Sequence, residues 1–251
     1  MIYLTNQDCR LTMNRLINRN IKVDVILTSP PYNVQHNWHD DRKYDVYNDS
    51  LSVDEYIEWM IGIFNQFDKI LKKNGVILFN FSYGTSQTEL MWLLIHDIIT
   101  KTNFTVADKI SWIKRNALPN NVSSNRLTRI VEDIFVIARN DELNTFHMNK
   151  PIVSTRDNGQ KMYKNIINVI EAMNNDGPCE LNHSTFSSEL CCKLLRLYAK
   201  DNSLIYDPFM GTGTTAVACR KLNLRCIGSE ISKKQVDYSK QRLSKFNNRL
   251  F

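Results

Sequence analysis

Apolar residues occur along the chain in two patterns: short continuous runs, and longer stretches in which they recur every three or four positions. Continuous runs of this kind predict buried strands, whereas the three-to-four spacing predicts amphipathic helices. The predicted strands are Val23–Thr28, Gly75–Asn80, Phe104–Lys114, Asp133–Arg139, Ser203–Tyr206 and Leu224–Glu230. The predicted helices are Val53–Leu71, Gln87–Thr100, Ser187–Ala199, Thr214–Leu222 and Ser232–Leu243. Ser52 is expected to cap the first of these helices, and Gly75 to end it.

The order of these elements predicts the fold class. Strands that alternate with helices of about 10–15 residues are typical of βαβ units. We therefore expect an α/β fold, doubly wound, with a mostly parallel sheet and helices on both faces. Three segments lack a clear period: Asn33–Asp49, Arg115–Arg129 and Asp141–Asn182. Ligands of such folds bind at the carboxyl ends of the strands, so these segments are candidates for contacting a ligand.

Composition and charge narrow the class of protein. Of 251 residues, 43% are hydrophobic and 10% aromatic, which excludes disordered, collagen-like and disulfide-stapled chains. No apolar run approaches the roughly 18 residues of a membrane span, and Met1–Arg10 lacks the pattern of a secretory signal. We therefore expect a cytoplasmic protein that is neither secreted nor bound to a membrane. The net charge of +6 permits a polyanionic partner without requiring one.

The six cysteines give no sign of a metal site. They form no CxxC pair and no cluster with histidine at the spacing of zinc ligands. Free cysteine behaves as a small hydrophobic residue that favours burial. We therefore expect reduced, buried thiols and no bound metal.

A glycine cluster near the C-terminus has the pattern of a nucleotide site. Gly211-x-Gly213-x-x-Ala216 connects a predicted strand to a predicted helix, as the dinucleotide fingerprint does. Glu230 follows Gly211 by 19 residues, close to the spacing of an acid that binds a ribose. No lysine follows Gly213, which disfavours a nucleotide hydrolase. Asp207, just before the loop, would repel a pyrophosphate and attract a cationic aminoacyl group, which favours S-adenosylmethionine (SAM) over NAD.

A proline cluster, Ser29-Pro30-Pro31-Tyr32, follows the first predicted strand. Two adjacent prolines fix the backbone and donate no N–H, so this loop is rigid and presents carbonyl acceptors. The Ser29 side chain and the Pro30 carbonyl can accept hydrogen bonds from the amino group of a planar base, and the Tyr32 ring can stack on that base. The alternative is that the prolines only end the strand and that Tyr32 packs in the core.

Together the two clusters resemble the DNA amino-methyltransferases, which transfer a methyl group from SAM to N6 of adenine or N4 of cytosine. Ser29-Pro30-Pro31-Tyr32 resembles the catalytic motif of that family. The segment from Asp207 to Thr214, Asp-Pro-Phe-Met-Gly-Thr-Gly-Thr, resembles its cofactor motif. The catalytic motif precedes the cofactor motif, which is the circularly permuted order of the β class. The resemblance extends from Asp8 to about Leu243 and implies a single catalytic domain over residues 1–251, with target-recognition loops at about 33–49, 115–129 and 141–182.

The resemblance also implies individual roles. The implied catalytic residues are Ser29, Pro30, Pro31 and Tyr32. The implied cofactor-binding residues are Asp8, Cys9, Thr185, Asp207, Phe209, Gly211, Gly213, Thr214 and Glu230. Asp8-Cys9 resembles the motif that touches the cofactor adenine, although Gln7 stands where the family usually has glycine. The segment His183-Ser184-Thr185-Phe186 resembles the one that borders the methionine end of SAM.

The target base remains open at this stage. In the family, aspartate at the first catalytic position favours adenine and serine favours N4 of cytosine, so Ser29 favours cytosine, with N6 of adenine as the alternative. Cytosine C5 chemistry would need a nucleophilic cysteine, and Pro178-Cys179, the candidate pair, lies in a polar loop far along the chain from Ser29. The remaining rivals are an NAD-dependent oxidoreductase, a non-catalytic DNA-binding protein on the same scaffold, and a methyltransferase acting on RNA.

The expected partner is double-stranded DNA, from which the target base must be flipped. Lys114, Arg115, Arg126 and Arg129 flank a loop rich in Asn and Ser, a combination suited to phosphates and base edges. His36, Trp38 and His39 are further candidates, placed to cover the flipped base or to fill its vacancy. A homodimer and a companion restriction endonuclease are partners that the sequence leaves open.

Overall fold

The structure is a computed structural model that describes residues 1–33, 46, 50–83, 87–119, 121, 123–177, 179, 181 and 185–247, with side chains to residue 245. The strands of the described residues are β1 (Ile2–Asn6), β2 (Val23–Thr28), β3 (Leu71–Asn80), β4 (Phe104–Lys114), β5 (Val131–Arg139), β6 (Ile152–Thr155), β7 (Lys161–Tyr163), β8 (Val169–Ala172), β9 (Leu204–Asp207) and β10 (Arg225–Glu230). The helices are α1 (Cys9–Asn18), α2 (Val53–Ile70), α3 (Leu90–Lys101), α4 (Ser188–Tyr198), α5 (Thr214–Lys221) and α6 (Lys233–Asn247).

Eight of these strands form one sheet in the order β1-β10-β9-β2-β3-β5-β4-β8. Every neighbouring pair is parallel except the two that involve β5, which runs antiparallel between β3 and β4. The predicted α/β fold with a mostly parallel sheet is confirmed. Strands β1, β2, β3, β4, β9 and β10 all end at one edge of the sheet, which we call the carboxyl edge, and β5 begins there. Between β9 and β2 the chain order diverges, and in open α/β sheets ligands bind at such a point.

Apolar side chains alternate along the central strands and form a core on each face of the sheet. Ile77 and Phe79 of β3 face α1, α2 and α3, whereas Val76 and Leu78 face α4 and α5. These four side chains are at most 1% exposed. Each large apolar side chain buried in this way contributes about 1.5–3 kcal/mol, so packing on both faces holds the carboxyl edge rigid.

The end of α2 differs from the prediction. The Ser52 side chain accepts a hydrogen bond from the Glu55 N–H, and the Glu55 carboxylate accepts one from the Ser52 N–H, which confirms the predicted cap. The helix ends at Ile70, however, and Gly75 lies inside β3, so the prediction that Gly75 ends the helix was wrong. A Cβ atom on Gly75 would lie 2.9 Å from the Asp24 carbonyl oxygen, so glycine here lets β3 approach β2 closely.

Other elements were absent from the sequence prediction. Strand β1 and helix α1 precede the first predicted strand, and β1 pairs with β10 at one side of the sheet. The segment 141–182 is not a structureless loop, because it contains β8, which pairs with β4, and the hairpin of β6 and β7. Of the segment 33–49, residues other than 33 and 46 lie outside the described part of the chain, and so do the predicted His36, Trp38 and His39. Among the described residues, no helix combines the length and apolar character needed to cross a membrane.

Candidate active site

A cavity of about 630 Å³ opens at the carboxyl edge of the sheet. Both motifs identified in the sequence line it, although about 180 residues of chain separate them. The predicted site residues in its wall are Asp8, Cys9, Ser29, Pro30, Pro31, Tyr32, Thr185, Phe209, Gly211, Thr214 and Glu230. The cavity therefore brings together the implied catalytic residues and most of the implied cofactor-binding residues. His183 and Ser184 lie outside the described residues.

The carboxylate of Glu230 is fixed by backbone groups on both sides. The Gly211 N–H donates to Glu230 Oε2 at 2.9 Å, and the Ser232 N–H donates to Oε1 at 2.8 Å. Gly211 has a φ of 53°, in the left-handed region that favours glycine. Because each carboxylate oxygen can accept more than one hydrogen bond, Glu230 retains the capacity to accept from two neighbouring hydroxyl groups in the cavity.

Gly213, predicted to contact the cofactor, is placed differently. Its φ is 81°, and a Cβ atom at this position would lie 2.7 Å from Cβ of Ser239 on α6. Gly213 is not among the residues that line the cavity. Its role is to let the loop turn against α6, so it supports the loop from behind. Gly228 on β10 allows a similar approach, since its Cβ would lie 2.3 Å from Met210 Sδ.

Asp207 requires a correction as well. Its side chain is 1% exposed, and its carboxylate accepts hydrogen bonds from Thr28 Oγ1 at 2.9 Å, Thr215 Oγ1 at 2.6 Å and the Phe209 N–H at 3.1 Å. It lies beneath the loop, outside the cavity wall, where it cannot meet an aminoacyl group in the cavity. Burial outweighs these hydrogen bonds and raises the pKa of Asp207 to about 6. Asp207, predicted to attract the cationic end of SAM, therefore supports the loop from beneath instead.

Asp8 and Cys9 form the wall where β1 passes into α1. Asp8 caps the helix by accepting from the Arg10 N–H at 2.8 Å, and the Arg10 guanidinium forms an ion pair with the same carboxylate. Burial acts against ionisation, but hydrogen bonds and charge from Arg10 together lower the pKa of Asp8. Burial, with the neighbouring Asp8 charge, raises the pKa of the Cys9 thiol to about 12, so it stays protonated.

Hydrogen bonds to Tyr56 and to Leu51 hold the proline loop in place. The Tyr56 hydroxyl on α2 donates to the Pro31 carbonyl at 2.6 Å. Asn33 has a φ of 53° and is fully buried, and its side chain exchanges hydrogen bonds with the backbone of Leu51. Ser29 and Tyr32 are half-buried, and the Ser29 hydroxyl donates to Tyr32 Oη at 3.1 Å. The loop therefore presents Ser29 and Tyr32 to the cavity in a fixed arrangement.

The wall beyond Tyr32 comes from β3, β4 and β5, and of its residues the sequence predicted only Lys114, as a DNA contact rather than as part of a cavity. Asn80, Trp112, Lys114 and Glu132 line the cavity here. Lys114 forms an ion pair with Glu132, and both side chains are largely buried, 14% and 18% exposed. A charged residue at the end of one apolar strand and at the start of the next, here Lys114 of β4 and Glu132 of β5, is the pattern that could have indicated this wall.

The sequence matches the DNA methylase family of the N6/N4 type over residues 23–241. The chain belongs to this family. Membership confirms the resemblance to the SAM-dependent amino-methyltransferases that the two motifs indicated. It excludes the alternative that the chain is an NAD-dependent oxidoreductase. Because the match covers most of the chain, the family assignment does not depend on either motif alone.

Comparisons of sequence and of structure find proteins that are similar to the methylase. It is 24% identical over 253 residues to the type II methyltransferase M.BglII of Bacillus subtilis, covering 93% of this chain and 67% of that protein. The PvuII DNA methyltransferase, described as cytosine-N4-specific, superposes with a TM-score of 0.70 at 16% identity, over 99% of this chain and 92% of that one. The M1.HpyAVI–SAM complex gives a TM-score of 0.65 at 22% identity, over 97% and 100%. These two structures share the fold of the methylase.

The four basic residues predicted to contact DNA have different surroundings in the methylase. Lys114 lies in the cavity, and Arg115 forms an ion pair with Glu189 on α4. Arg129 is placed over the Tyr83 ring, 4.3 Å from its centroid, and donates to the Tyr83 carbonyl. Arg126 lies on the exposed loop itself. DNA contact at these positions stays a prediction.

Proposed function

We propose that the chain transfers the methyl group of SAM to the exocyclic amino group of a base flipped out of double-stranded DNA, at N4 of cytosine. One observation carries the proposal: the Ser29-Pro30-Pro31-Tyr32 loop and the loop that ends at Thr214 line the same cavity of about 630 Å³. A cofactor held by one loop and a base held by the other would then meet within a single enclosed space, as direct methyl transfer requires.

The residues of the cofactor side fit the parts of SAM. Glu230 is fixed to accept from the two ribose hydroxyls, since backbone N–H groups orient both of its oxygens. Asp8 and Cys9 would border the adenine, and Phe209 contributes an aromatic wall. Gly211, Thr185 and Thr214 would surround the methionine part. Gly213 and Asp207 would support this binding from behind the loop.

The residues of the base side fit an amino group. An exocyclic amine is a weak nucleophile because its lone pair is delocalised into the ring. Hydrogen bonds from the amine to Ser29 Oγ and to the Pro30 carbonyl favour a more tetrahedral nitrogen, whose lone pair is available for attack. The nitrogen lone pair would attack the methyl carbon in line as the carbon–sulfur bond breaks, which leaves S-adenosylhomocysteine, and the extra proton of the nitrogen would pass to water. Positioning and electrostatics supply the acceleration, with no covalent enzyme intermediate.

The choice of N4 of cytosine rests on Ser29, because serine at this position of the family motif favours cytosine. The PvuII enzyme, described as cytosine-N4-specific, has the same fold, but at 16% identity this superposition is evidence for the fold alone. N6 of adenine is the alternative, with the same mechanism. Digestion of DNA modified in cells, followed by nucleoside mass spectrometry, is expected to give N4-methylcytosine, and finding only N6-methyladenine would overturn the choice of base.

Transfer of labelled methyl groups from SAM to plasmid DNA tests the activity itself. The wild-type chain is expected to label DNA and not RNA. Ser29→Ala and Tyr32→Ala should each reduce the rate by two orders of magnitude or more, the scale of losing a residue that orients the reacting amine. Ser244→Ala, which removes a serine hydroxyl from the exposed side of α6, serves as the matched control. A modest loss in Ser29→Ala together with full activity in Tyr32→Ala would refute the assignment.

Binding of SAM is tested separately by calorimetry. Glu230→Gln keeps the size of the side chain but removes the charge and half of its acceptors, so we expect an affinity for SAM lower by about tenfold to a hundredfold. Asp237→Asn, an equivalent change on the exposed face of α6, should leave the affinity unchanged. Equal affinities for the two variants would contradict the proposed cofactor position.

We further propose that residues 1–251 form a single catalytic domain in which DNA recognition falls to the segments 33–49, 115–129 and 141–182. The hairpin of β6 and β7 and the loop around Arg126 are described parts of those segments that are largely exposed. The companion endonuclease of a restriction-modification pair and a homodimer are compatible with this arrangement. Mapping of modified positions in a methylated plasmid would define the recognition sequence.

A further inference from the structure

A chain of hydrogen bonds leads from the catalytic serine to the far wall of the cavity. The Ser29 hydroxyl donates to Tyr32 Oη at 3.1 Å. Tyr32 Oη in turn donates towards Asn80 Oδ1 at 3.3 Å and Glu132 Oε2 at 3.5 Å. The chain thus connects three strands, since Ser29 follows β2, Asn80 ends β3 and Glu132 lies near the start of β5.

Glu132 is the end of this chain that can only accept. Its Oε2 also accepts from Asn80 Nδ2 at 3.3 Å, while its Oε1 accepts from Lys114. The ion pair is largely buried, and the Lys114 ammonium lies 5.2 Å from the centroid of the Trp112 ring. A charge-assisted hydrogen bond in such surroundings is stronger than one between neutral groups. Lys114 therefore fixes the carboxylate at one position in the wall.

The direction of the protons in the chain follows from the acceptors around Asn80 and Tyr32. Asn80 Nδ2 donates to Glu132 Oε2 and also to the Asp133 carbonyl at 3.2 Å, so the Asn80 oxygen faces Tyr32. Tyr32 has one hydroxyl proton, and with acceptors on that side it receives the hydrogen bond from Ser29. The proton of Ser29 is then engaged with Tyr32, so the lone pairs of Oγ are available as acceptors in the cavity. An acceptor at Ser29 is what the amino group of the target base needs.

We propose that Glu132, held by Lys114, is a positioning residue that fixes Ser29 as a hydrogen-bond acceptor through Tyr32. This inference rests on the proposed function. Glu132 itself does not touch the reacting atoms in this arrangement. A glutamine in its place can present an N–H instead of an oxygen, so Tyr32 loses its charged acceptor and the protons of Tyr32 and Ser29 lose their fixed direction.

Steady-state methyl transfer to DNA tests the proposal. Glu132→Gln is expected to lower kcat about tenfold while the KM values for SAM and for DNA stay within about twofold, because it changes orientation and not binding. Asp133→Asn is the matched control. Asp133 is the next residue of β5 and forms a similar ion pair with Lys109, but its side chain lies outside the cavity. It should leave both constants unchanged.

A double-mutant cycle separates this role from others. If Glu132 acts through Tyr32, adding Glu132→Gln to Tyr32→Phe should cause no further loss of kcat, because the connection is already broken. Additive losses, or a rise in KM for DNA with kcat unchanged, would overturn the proposal and assign Glu132 to direct contact with the base.

If Glu132→Gln fails to fold, Lys114→Met at the same wall provides the cycle with Tyr32→Phe, with the same expected absence of further loss. Failure of the proposed function is a distinct result, in which the wild-type chain transfers no methyl group to DNA.

Discussion

Thr28 Oγ1 donates a hydrogen bond to Asp207 Oδ1 over 2.9 Å, and the two residues are 179 positions apart in the chain. Thr28 ends the strand that leads into the proline loop, and Asp207 ends the strand that leads into the glycine loop. Both side chains are at most 1% exposed. The contact thus joins the base side of the cavity to the cofactor side in the interior of the protein, directly beneath the place where the two ligands would meet.

This position of Asp207 predicts a specific dependence of stability on pH. Burial raises the pKa of Asp207 from the ordinary value of 3.8 to about 6, so the folded state binds this proton more tightly than the unfolded chain does. The resulting stabilisation is present in full below about pH 4 and is lost as the pH rises through 6. A shift of two units corresponds to on the order of 3 kcal/mol of the free energy of unfolding.

Asp207→Asn isolates this effect, because asparagine has the same shape and does not titrate. Urea denaturation of both proteins from pH 4 to pH 7 gives the free energy of unfolding at each pH. The difference, wild type minus variant, should fall as the pH rises, by on the order of 3 kcal/mol across the range. Parallel curves would show that Asp207 does not carry the shift.

Much of the site was predictable from sequence because its chemistry is concentrated in short segments. The proline loop and the loop ending at Thr214 each have a composition that few other structures need, and each follows an apolar run that reads as a buried strand. Their positions at strand ends follow from the alternation of strands and helices. The fold class and the cavity that joins Ser29 to Glu230 were accordingly within reach of the sequence.

What the sequence could not provide was the direction in which individual side chains point. Asp207 and Gly213 stand in the cofactor motif, yet both serve the packing behind the loop, and only the neighbouring elements determine this. Lys114 and Glu132 lie 18 residues apart and meet because β4 and β5 pair antiparallel. Strand β1 was missed because its apolar run, Ile2–Leu4, is only three residues long and is followed by the polar residues Thr5 and Asn6.

Substitution of Gly213 tests whether it acts through packing. Alanine at this position would require a φ of 81° and would place Cβ 2.7 Å from Ser239, so Gly213→Ala should lower the free energy of unfolding by about 1–3 kcal/mol. Gly62→Ala is the matched control. Gly62 lies on the exposed face of α2 with nothing within 4 Å of its Cβ, and alanine there should raise stability by about 0.5–1 kcal/mol. Equal effects of the two substitutions in urea denaturation would contradict this view.

Thiol reactivity should distinguish Cys179 from the other five cysteines. Cys179 is half-buried, whereas the other five, all described by the structure, are buried. Burial also raises the pKa values of Cys9 and Cys191, and the thiolate is the reactive form. At pH 8 Ellman's reagent should therefore modify one thiol per native molecule rapidly and all six after unfolding in guanidinium. Cys179→Ala should remove the rapid phase and keep methylation of DNA, and loss of methylation would revive a nucleophilic role for this residue.

The salt dependence of DNA binding tests the role of the loop around Arg126. A basic residue that neutralises a DNA phosphate releases counterions, which contributes about 0.9 to the slope of log affinity against log salt concentration. Arg126 is exposed on the loop beyond the carboxyl edge, so Arg126→Gln should weaken binding to any DNA sequence and reduce the slope by about 0.9.

Lys73→Gln is the control for Arg126→Gln. It makes the same change of charge near the start of β3, at the opposite edge of the sheet, and should leave the slope unchanged. An unchanged slope in Arg126→Gln, or equal changes in both variants, would place the DNA elsewhere on the surface. Fluorescence anisotropy of a labelled duplex across a range of salt concentrations gives both slopes, and because it measures binding alone, the result does not depend on whether either variant still transfers methyl groups.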